Sequence, residues 1–434
     1  MLPQLITAIP GPKSRALSAE LKRYECRNVT YVADDWPVFW QRADGVNVWD
    51  ADGNRFLDLT AAFGVAGLGH GWPAGVMREQ SMDLIHGMGD VHPTALKVEL
   101  CRMLSEMTFE RWGQGVGKTI LSNSGFEAVE AALKTASMAT GKVGIASFKN
   151  GYHGLGYGAL LGGGFEKFRQ PFEGQLAPLR VLLDFPDDDE GLGVLEGQLA
   201  DIEGGEIGVL LVEPIQGRGG KVVPPNGFLA LLRSWCDQHG VLLVFDEIFT
   251  GLNRTGKMFA CDWEGIVPDL ICVGKSMSGG YPISACVGKA EVMDAWPESE
   301  GEALHTSTFL GNPVGCAMAV ASLKKHAEQE IQESVLMKGA SLRALLQGML
   351  QDLSGSLTGQ VRGRGLMVGL ELRHPDGTAA GDVAGKVLGE MMRRGIFMLA
   401  DGPEGNVLAF TPPFVLTDEE ISYGVMQLRS VLDC

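Results

Sequence analysis

The chain has 434 residues, of which 60 are glycine, a share of about 14% where about 7% is usual. Its formal net charge of −17 repels polyanions, so we expect it to bind neither nucleic acid nor a membrane surface. With 45% hydrophobic and 21% charged residues, the composition is that of a packed globular protein of two or three domains, and it excludes a disordered or collagen-like chain.

The N-terminal part of the chain is predicted to be a small β-rich unit. Strands are expected over residues 29–33, 46–49 and 55–59, because each run is rich in β-branched and aromatic residues. The four residues 50–53, Asp-Ala-Asp-Gly, are a hairpin turn signal between the second and third runs.

The middle of the chain alternates short apolar runs with helical periods. Strands are expected at 119–121, 143–148, 207–212, 241–245 and 269–274, with helices such as 126–139 and 227–239 between them. This alternation predicts a largely parallel sheet covered by helices on both faces.

The C-terminal part has an α/β rhythm of its own. After residues 312–313 we expect a long helix to about residue 350, a strand over 361–372, a helix near 383–394, a short strand at 407–411 and a final helix from Asp418. The predicted division is therefore an N-terminal segment, residues 1–65, that joins a smaller domain, a large domain over 66–325, and the C-terminal part of the smaller domain over 326–434.

The cysteines and histidines indicate the cellular compartment of the protein and whether it binds a metal. The eight cysteines form no C-x-x-C pair and mostly lie in apolar runs, which is typical of buried thiols in a reducing compartment. The N-terminus has no signal-peptide pattern and no 18 apolar residues run together, so a cytoplasmic location is expected. The eight histidines lack metal-ligand spacing, and no metal is expected.

Two apolar strands end in chemically active side chains. The run 241–245 is followed by Asp246 and Glu247, and the run 269–274 by Lys275 and a glycine-rich turn. Taken alone, a turn aspartate and a solvated surface lysine are the simpler interpretations. Together they favour a site, because ligand groups lie at the carboxyl ends of strands and a desolvated lysine can act as a nucleophile or base.

Two further strand ends are candidates. Residues 122–125, Ser-Asn-Ser-Gly, lie between a strand and a helix, where free N–H groups can bind a phosphate or can simply cap the helix. Tyr152 follows another strand, where its ring can stack on a flat heterocycle or anchor the loop.

In this order, the segments resemble the class III, or ω-type, aminotransferases of the fold type I pyridoxal-phosphate enzymes. The shared motifs are VWDADGNRFLDL, NSGFEAVEAALK, GYHG, VEPIQG, FDEIFTG, GKSMSGGYP, TFLGNP and VRGRGLMVGLEL, which together cover nearly the whole chain. The resemblance implies an α/β fold with a large, mostly parallel sheet domain that binds the cofactor and a smaller α/β domain built from the N- and C-terminal segments.

The resemblance also implies a cofactor, pyridoxal 5'-phosphate, and its contacts. It implies that Lys275 carries the cofactor covalently and that Asp246 pairs with the protonated ring nitrogen, which keeps the ring an electron sink. The other implied contacts are Ser124, Gly125 and Phe126 at the phosphate, Ile248, Tyr152, which covers the ring and meets the substrate, and Thr308, which reaches the phosphate across a dimer interface.

The implied reaction is a transamination. An amine or an ω-amino or amino acid gives its amino group to an oxo acid, such as pyruvate or 2-oxoglutarate, with ping-pong kinetics. Two alternatives stay open: an amino-acid racemase or epimerase on the same scaffold, and a non-catalytic binding protein on an inherited fold. A homodimer or a dimer of dimers is implied, because the family's active site uses residues from two chains.

Three positions depart from the family's commoner pattern. Phe249 replaces a glutamine near the cofactor's phenolic oxygen, Ala409 replaces an arginine, and Arg218 replaces the glutamate that pairs with that arginine. We hypothesise that Arg218 binds a substrate carboxylate, with pairing to a protein carboxylate as the alternative. The resemblance places Phe63 in the substrate pocket, whereas Leu155 supplies no substitute cation.

Overall fold

The computed structural model describes residues 1–177, 180–202, 205–353 and 357–433. They form two compact units, unit 1 from Met1–Trp72 and Leu336–Cys434, and unit 2 from Pro73–Val335. The strands are β1 Trp40–Asp44, β2 Asn47–Asp50, β3 Arg55–Asp58, β4 Gly117–Ser122, β5 Gly144–Phe148, β6 Arg180–Leu183, β7 Ile207–Val212, β8 Leu242–Asp246, β9 Leu270–Val273, β10 Ser284–Lys289, β11 Thr358–Arg364, β12 Met367–Arg373, β13 Ile396–Phe397, β14 Leu399–Asp401 and β15 Val407–Phe410. The helices are α1 Pro12–Tyr24, α2 Ala61–Gly64, α3 Ala74–Asp83, α4 Ala95–Ser105, α5 Gly125–Thr140, α6 Tyr157–Gly162, α7 Glu166–Arg169, α8 Asp189–Ala200, α9 Phe228–His239, α10 Ala290–Met293, α11 Pro313–His326, α12 Gln329–Asp352, α13 Gly381–Arg393 and α14 Asp418–Leu432.

The large sheet of unit 2 has the strand order β4-β10-β9-β8-β7-β5-β6. The pairs from β9 to β6 are parallel, whereas β10 is antiparallel to both β9 and β4. The strand β4 therefore runs in the same direction as β9. As a result, the carboxyl ends of β4, β5, β7, β8 and β9 lie at one edge of the sheet, and the largely parallel sheet that the sequence predicts is confirmed.

The large sheet is buried on both faces. Along β8, Leu243 and Phe245 pack with Leu232 of α9 in one apolar cluster, whereas Val244 packs with Ala132 of α5 in another. Successive side chains of a strand point to opposite faces, and burying an apolar side chain of this size contributes about 2 kcal/mol. The strands therefore form the rigid core of unit 2, and the loops at its carboxyl edge carry the polar side chains.

Unit 1 joins the two ends of the chain. It contains a sheet of order β1-β2-β3-β13 and a sheet of order β11-β12-β15-β14. The strand β13 pairs in parallel with β3, with Ile396 opposite Leu57. The rings of Phe56 and Phe397 stack with their centroids 4.4 Å apart. The N- and C-terminal segments therefore share one core.

A left-handed turn follows β3. Its non-glycine residues Ala61, Ala62 and Phe63 have φ angles of 46°, 48° and 62°. Each L-residue in this region costs about 1 kcal/mol, so such a run needs support. The buried carboxylate of Asp58 provides it, because it accepts hydrogen bonds from the N–H groups of Thr60 (2.8 Å) and Ala62 (3.2 Å).

The strand predicted over residues 29–33 is wrong. Within the described residues this segment forms only an isolated bridge between Ala33 and Trp36. Val29 and Tyr31 are 70% and 72% exposed. Their β-branched and aromatic character found no neighbouring strand to pair with, and strand propensity depends on such a neighbour.

Two C-terminal elements also differ from the prediction. The single strand expected over 361–372 is the antiparallel hairpin β11–β12, in which Arg364 is paired with Met367 across a two-residue loop. The long helix expected to about residue 350 ends at His326 and restarts at Gln329. The elements predicted near 383–394, at 407–411 and from Asp418 are present as α13, β15 and α14.

Two further features concern the cysteines and the longer helices. The cysteines among the described residues form no disulfide, and Cys434 lies outside those residues. In the part of the chain that the structure describes, no helix has both the length and the apolar character needed to cross a membrane.

Candidate active site

The base of the candidate site is a buried carboxylate paired with a buried imidazole. Asp246 ends β8, where it is 3% exposed, and its Oδ2 lies 2.7 Å from Nδ1 of His153. Since a carboxylate only accepts, the imidazole donates. The second oxygen, Oδ1, accepts from the N–H of Ile248 at 3.0 Å. The carboxylate is therefore fixed in orientation at the carboxyl edge of the sheet.

A second buried carboxylate, Glu213, follows β7 beside this pair. It accepts from the N–H groups of Tyr152 and Gly217, each at 3.0 Å. Burial raises the pKa of Glu213, and the charge of Asp246 raises it further, against the opposing effect of His153. Burial alone would lower the pKa of His153, but the hydrogen bond and charge of Asp246, with Glu213, raise it above its ordinary value. The imidazole thus donates to one buried acid, and both acids favour its charged form.

Lys275 follows β9, the parallel neighbour of β8. Asp246 is paired in register with Cys272, three residues before the lysine, so both side chains come from the same sheet edge. Lys275 begins a short 3-10 turn and is half-buried. Its Nζ lies 4.1 Å from the ring centroid of Phe249. The prediction that the lysine and the aspartate project from one edge is confirmed.

A phosphate-sized cradle is formed where α5 begins. The carboxylate of Glu127 accepts from the N–H of Ser124 at 2.7 Å and from its hydroxyl at 2.9 Å. Gly125 and Phe126 are the first residues of α5, so their N–H groups have no acceptor inside the helix. A Cβ on Gly125 would lie 3.0 Å from Cδ1 of Ile248, so only glycine leaves this space open. The arrangement suits an anion at the helix N-terminus.

An aromatic wall carries the cation that the sequence singled out. The Cζ atom of Arg218 lies 4.5 Å from the centroid of the Tyr152 ring and 5.3 Å from that of Phe168. Tyr152 and Phe168 themselves meet edge to face at 5.9 Å. Among the described residues, no carboxylate forms an ion pair with this half-buried guanidinium. Its charge is therefore stabilised by the faces of the two rings.

Phe249 is shared by two lysines. Besides Lys275, the buried Lys221 places its Nζ 4.4 Å from the same ring centroid and donates to the carbonyl of Gly217 at 3.4 Å. The Phe249 ring thus lies beside both ammonium groups. Its electron-rich face stabilises the ammonium groups beside it.

The neighbouring acid, Glu247, has a different role. Its carboxylate accepts from the N–H groups of Ala260 (3.0 Å) and Cys261 (2.8 Å) and from the hydroxyl of Thr250. Burial raises its pKa to about 7. Glu247 therefore ties the loop after β8 together, and of the two acids at this strand end only Asp246 belongs to the site.

Two further predicted site residues are exposed. Thr308 is exposed on a turn of unit 2, where the preceding Ser307 accepts from the Asn123 side chain at 3.2 Å. Phe63 belongs to unit 1 and is 66% exposed.

The polar residues His153 and Glu213 did not stand out in the sequence. Both come directly after buried strands, His153 in the loop after β5 and Glu213 at the end of β7. The strand-end rule that identified Asp246 would have found them as well.

The assembled groups fit pyridoxal 5'-phosphate. A buried carboxylate suits a protonated ring nitrogen, Tyr152 and Ile248 offer apolar surfaces for a flat ring, a helix N-terminus suits a phosphate, and Lys275 supplies the amine. Among the described residues, unit 2 thus offers a group suited to each part of this cofactor.

Comparison with known proteins gives a consistent result. Residues 30–432 match the family described as aminotransferase class-III. The chain is 35% identical to a 4-aminobutyrate aminotransferase of Mycobacterium leprae, over 99% of this chain and 98% of that protein. It is 34% identical to an acetylornithine aminotransferase of Methanopyrus kandleri, over 92% and 95% of the two chains. A solved amine transaminase from an uncultivated Pseudomonas species, in its PLP-bound form, matches with a TM-score of 0.85, 28% identity and coverage of 94% and 98%.

Proposed function

The chain belongs to the class-III aminotransferases, and from this premise we propose that it transfers amino groups between substrates of which at least one carries a carboxylate bound by Arg218. It is a pyridoxal-phosphate enzyme of the transaminase type, with small amino compounds and oxo acids as substrates. The acceptor we propose is pyruvate or 2-oxoglutarate.

We propose the following roles for the cofactor-binding residues. Asp246, oriented by His153, holds the ring nitrogen in its protonated form. The N–H groups of Gly125 and Phe126, with Ser124 beside them, bind the phosphate. Tyr152 and Ile248 cover the two faces of the ring. When bound, the cofactor withdraws electrons from the substrate carbon that bears the amino group.

Lys275 is the proposed catalytic base as well as the anchor. Its Nζ would hold the cofactor in the resting enzyme and, once free, would take the proton from the substrate carbon. The half-buried position beside the Phe249 ring limits the access of water to this amine. The same Nζ would carry this proton until it is returned, and hydrolysis by water would then release the oxo product.

One observation carries the substrate proposal: the guanidinium of Arg218 rests on the rings of Tyr152 and Phe168 without an ion pair to any described carboxylate. A guanidinium binds a carboxylate through two parallel hydrogen bonds. Because Tyr152 is the proposed cover of the cofactor ring, a carboxylate on Arg218 lies next to the reacting carbon. We also propose that Phe63 contacts the substrate, on the family resemblance of its segment.

The test compares substrates that differ only in the carboxylate. In Arg218→Ala, kcat/KM for an ω-amino acid falls at least thirtyfold, about 2 kcal/mol, while kcat/KM for the amine of equal chain length falls less than threefold. Lys167→Ala is the matched control, since Lys167 also lies over the Phe168 ring, at 5.1 Å, but is exposed. Equal losses for both substrates contradict the role of Arg218.

The reaction class has its own test. With an amino acid and no oxo acid, a transaminase stops after one turnover, whereas a racemase or epimerase continues. Lys275→Ala should lose the visible absorbance that the wild-type protein shows with added pyridoxal phosphate. A wild-type protein without that absorbance contradicts the whole proposal.

We propose a homodimer, or a dimer of dimers, in the cytoplasm. The support is an apolar patch on unit 2, formed by the exposed side chains Met82, Ile85, Met88, Val91, Leu304 and Phe309. The two segments of the patch are joined by a hydrogen bond from Thr306 to Asp90 at 2.8 Å. Thr308 lies within the patch, and we propose that it reaches the phosphate bound by the partner. Exposed apolar patches of this kind mark interaction sites.

A further inference from the structure

The turn that carries Lys275 is bound to α11 by two polar side chains. Ser322 and His326 are both fully buried and lie four residues apart, so they share one face of the helix. The hydroxyl of Ser322 donates to the carbonyl of Ser276 at 3.1 Å, and Nε2 of His326 lies 3.2 Å from the same oxygen. Ser276 directly follows Lys275, and all four residues belong to unit 2. The peptide next to the lysine is therefore fixed by a neighbouring helix.

The ring of His326 is itself fixed by the loop after β8. Its Nδ1 lies 3.3 Å from Nδ2 of Asn253, and the same amide donates to the carbonyl of His326 at 2.7 Å. Because the nitrogen of a side-chain amide only donates, Nδ1 accepts, and Nε2 carries the hydrogen that the carbonyl of Ser276 accepts. The strand β8 ends in Asp246. One imidazole thus connects the loop that follows Asp246 with the turn that provides Lys275.

The turn has little stability of its own. It is a 3-10 turn of three residues, Lys275–Met277, with a hydrogen bond of 2.6 Å from the N–H of Met277 to the carbonyl of Gly274. Runs of this type stay short because their hydrogen-bond geometry is poor. Contacts from outside the turn therefore determine how far its backbone moves.

Two donors on one carbonyl do more than satisfy a buried acceptor. Ser276 is buried, so its carbonyl needs a hydrogen-bond partner, and the Ser322 hydroxyl alone supplies one. A buried hydroxyl or imidazole costs free energy unless it is hydrogen-bonded, and an apolar side chain of the same size avoids this cost. The second donor, His326, restricts the direction of the carbonyl and with it the path of the backbone at Lys275.

We propose that Ser322 and His326 are positioning residues that hold the backbone of Lys275 so that its Nζ stays within reach of the substrate carbon. This inference rests on the proposed function, in which Lys275 takes a proton from that carbon. The lysine side chain is flexible, so the position of Nζ depends on a fixed backbone. Misplacing a reacting group by about 1 Å can slow a reaction by a factor of about a hundred.

Four variants separate positioning from packing. Ser322→Ala and His326→Leu each remove one donor, and His326→Gln keeps an amide donor in place of the Nε2–H group. Val320→Ala is the matched control, because Val320 is a buried residue of the same helix that packs in the apolar core of unit 2. We expect Val320→Ala to lower the thermal midpoint of unfolding and to leave proton transfer unchanged.

Hydrogen exchange followed by mass spectrometry measures the turn without any turnover. The N–H of Met277 is protected by its bond to Gly274, so it exchanges only when the turn opens. In the holoenzyme, the peptide that contains this N–H should exchange at least about tenfold faster in Ser322→Ala and His326→Leu than in the wild type. His326→Gln and Val320→Ala should exchange like the wild type.

The second measurement is the rate constant of a single turnover of the holoenzyme, followed by visible absorbance. Alanine and glutamate are the amino products of the two proposed acceptors, and each is supplied with hydrogen or deuterium on the carbon that bears the nitrogen. In Ser322→Ala and His326→Leu the rate constant should fall at least about tenfold, with a deuterium isotope effect no smaller than that of the wild type. His326→Gln and Val320→Ala should stay within about threefold of the wild type. A damaged fold lowers the amplitude, through loss of active protein, but not the rate constant.

The outcomes are distinct. Wild-type rate constants in Ser322→Ala and His326→Leu overturn the proposal, whether or not the exchange is faster. Equal slowing in His326→Gln or Val320→Ala also overturns it, because loss of packing would then explain the effect. If His326→Leu does not fold, Ser322→Ala, which removes a single hydroxyl, decides in the same way. A wild type that converts neither amino acid contradicts the proposed function instead, and the exchange comparison still decides whether α11 holds the turn.

Discussion

His153 is the residue on which the charge of the site depends. It lies between Asp246 and Glu213, two buried acids that come from neighbouring strand ends. Two carboxylates in a low-dielectric environment repel each other, and one of them takes up a proton unless a cation intervenes. The two acids raise the pKa of the His153 imidazole, and its charged form offsets the repulsion between them.

Replacing this imidazole should weaken cofactor binding. In His153→Gln the amide can still donate to Asp246 but carries no charge, so the Asp246–Glu213 repulsion is uncompensated. A tenfold change in a dissociation constant corresponds to about 1.4 kcal/mol, and losing the imidazole charge beside two buried acids should cost at least that much, so we expect the cofactor dissociation constant to rise at least tenfold. Titration of the cofactor-free protein with pyridoxal phosphate, read by visible absorbance, measures it. His239→Gln, on the exposed end of α9, is the control. Equal cofactor dissociation constants for wild type and His153→Gln would contradict the role of His153 in cofactor binding.

At the residue scale, the polar groups that end strands could be predicted from the sequence, but their partners could not. Asp246 and Lys275 follow apolar runs directly, so their common edge could be predicted. That Glu247 turns away into the loop, and that Arg218 rests on aromatic rings, depends on contacts between segments far apart in the chain. Such contacts leave no periodic signal in one sequence.

The short turn that carries Lys275 is tied to α11. The carbonyl of Ser276 accepts from the Ser322 hydroxyl at 3.1 Å and from Nε2 of His326 at 3.2 Å. On the other side of the same ring, Nδ1 lies 3.3 Å from the side-chain amide of Asn253. The imidazole is therefore neutral, donating from Nε2 and accepting at Nδ1, and it fixes the backbone beside Lys275.

This contact makes the fold sensitive to acid. Burial lowers the pKa of His326 to about 4, from 6.5, with Ser276 opposing and Arg254 assisting. Between these values the unfolded chain binds a proton that the folded chain does not, so stability falls as the pH drops. This proton uptake by the unfolded chain lowers the free energy of unfolding by about 2 kcal/mol between pH 7 and pH 5.

Urea unfolding at pH 7 and pH 5 measures this linkage. The free energy of unfolding of the wild type should fall by about 2 kcal/mol more from pH 7 to pH 5 than that of His326→Gln, because the variant has no titrating ring at this position. The exposed His239→Gln should behave like the wild type. If His326→Gln shows the same loss as the wild type, the acid sensitivity originates elsewhere.

At the element scale, periodicity predicted the large sheet and its helices well. The strands from β4 to β9 that were predicted lie within a residue or two of their observed bounds, because buried strands are long apolar runs. The hairpin at 358–373 was missed because its two-residue loop, Gly365 and Leu366, interrupts the apolar pattern only briefly. The break after His326 carries neither glycine nor proline, so local propensity gave no stop signal there.

The whole molecule combines an acidic composition with a cationic site. The net charge is −17, yet Lys275, Lys221 and Arg218 all lie at the carboxyl edge of one sheet. Net charge thus governs which macromolecules are repelled, whereas local cations govern which small anions bind. The predicted division at residues 65 and 325 stays a prediction beside the two compact units.

The proposed dimer can be tested through the apolar patch. Ile85 is 65% exposed, and the carbonyl of this residue accepts from Asn312 at 3.1 Å, so the backbone around it is fixed while its side chain is free to pack against a partner. In a two-fold interface, one substitution introduces two charges. Ile85→Glu should therefore halve the mass measured by light scattering.

The same variant should also bind pyridoxal phosphate more weakly, because each site would lose the partner's share of the phosphate contacts that we assign to Thr308. Met426→Glu, which places the same charge on a side chain of α14 that is 55% exposed, should keep the wild-type mass and cofactor affinity. A wild-type mass for Ile85→Glu would contradict the interface, whereas a monomer with unchanged cofactor affinity would contradict the role of Thr308. The two readouts together thus separate assembly from its contribution to the site.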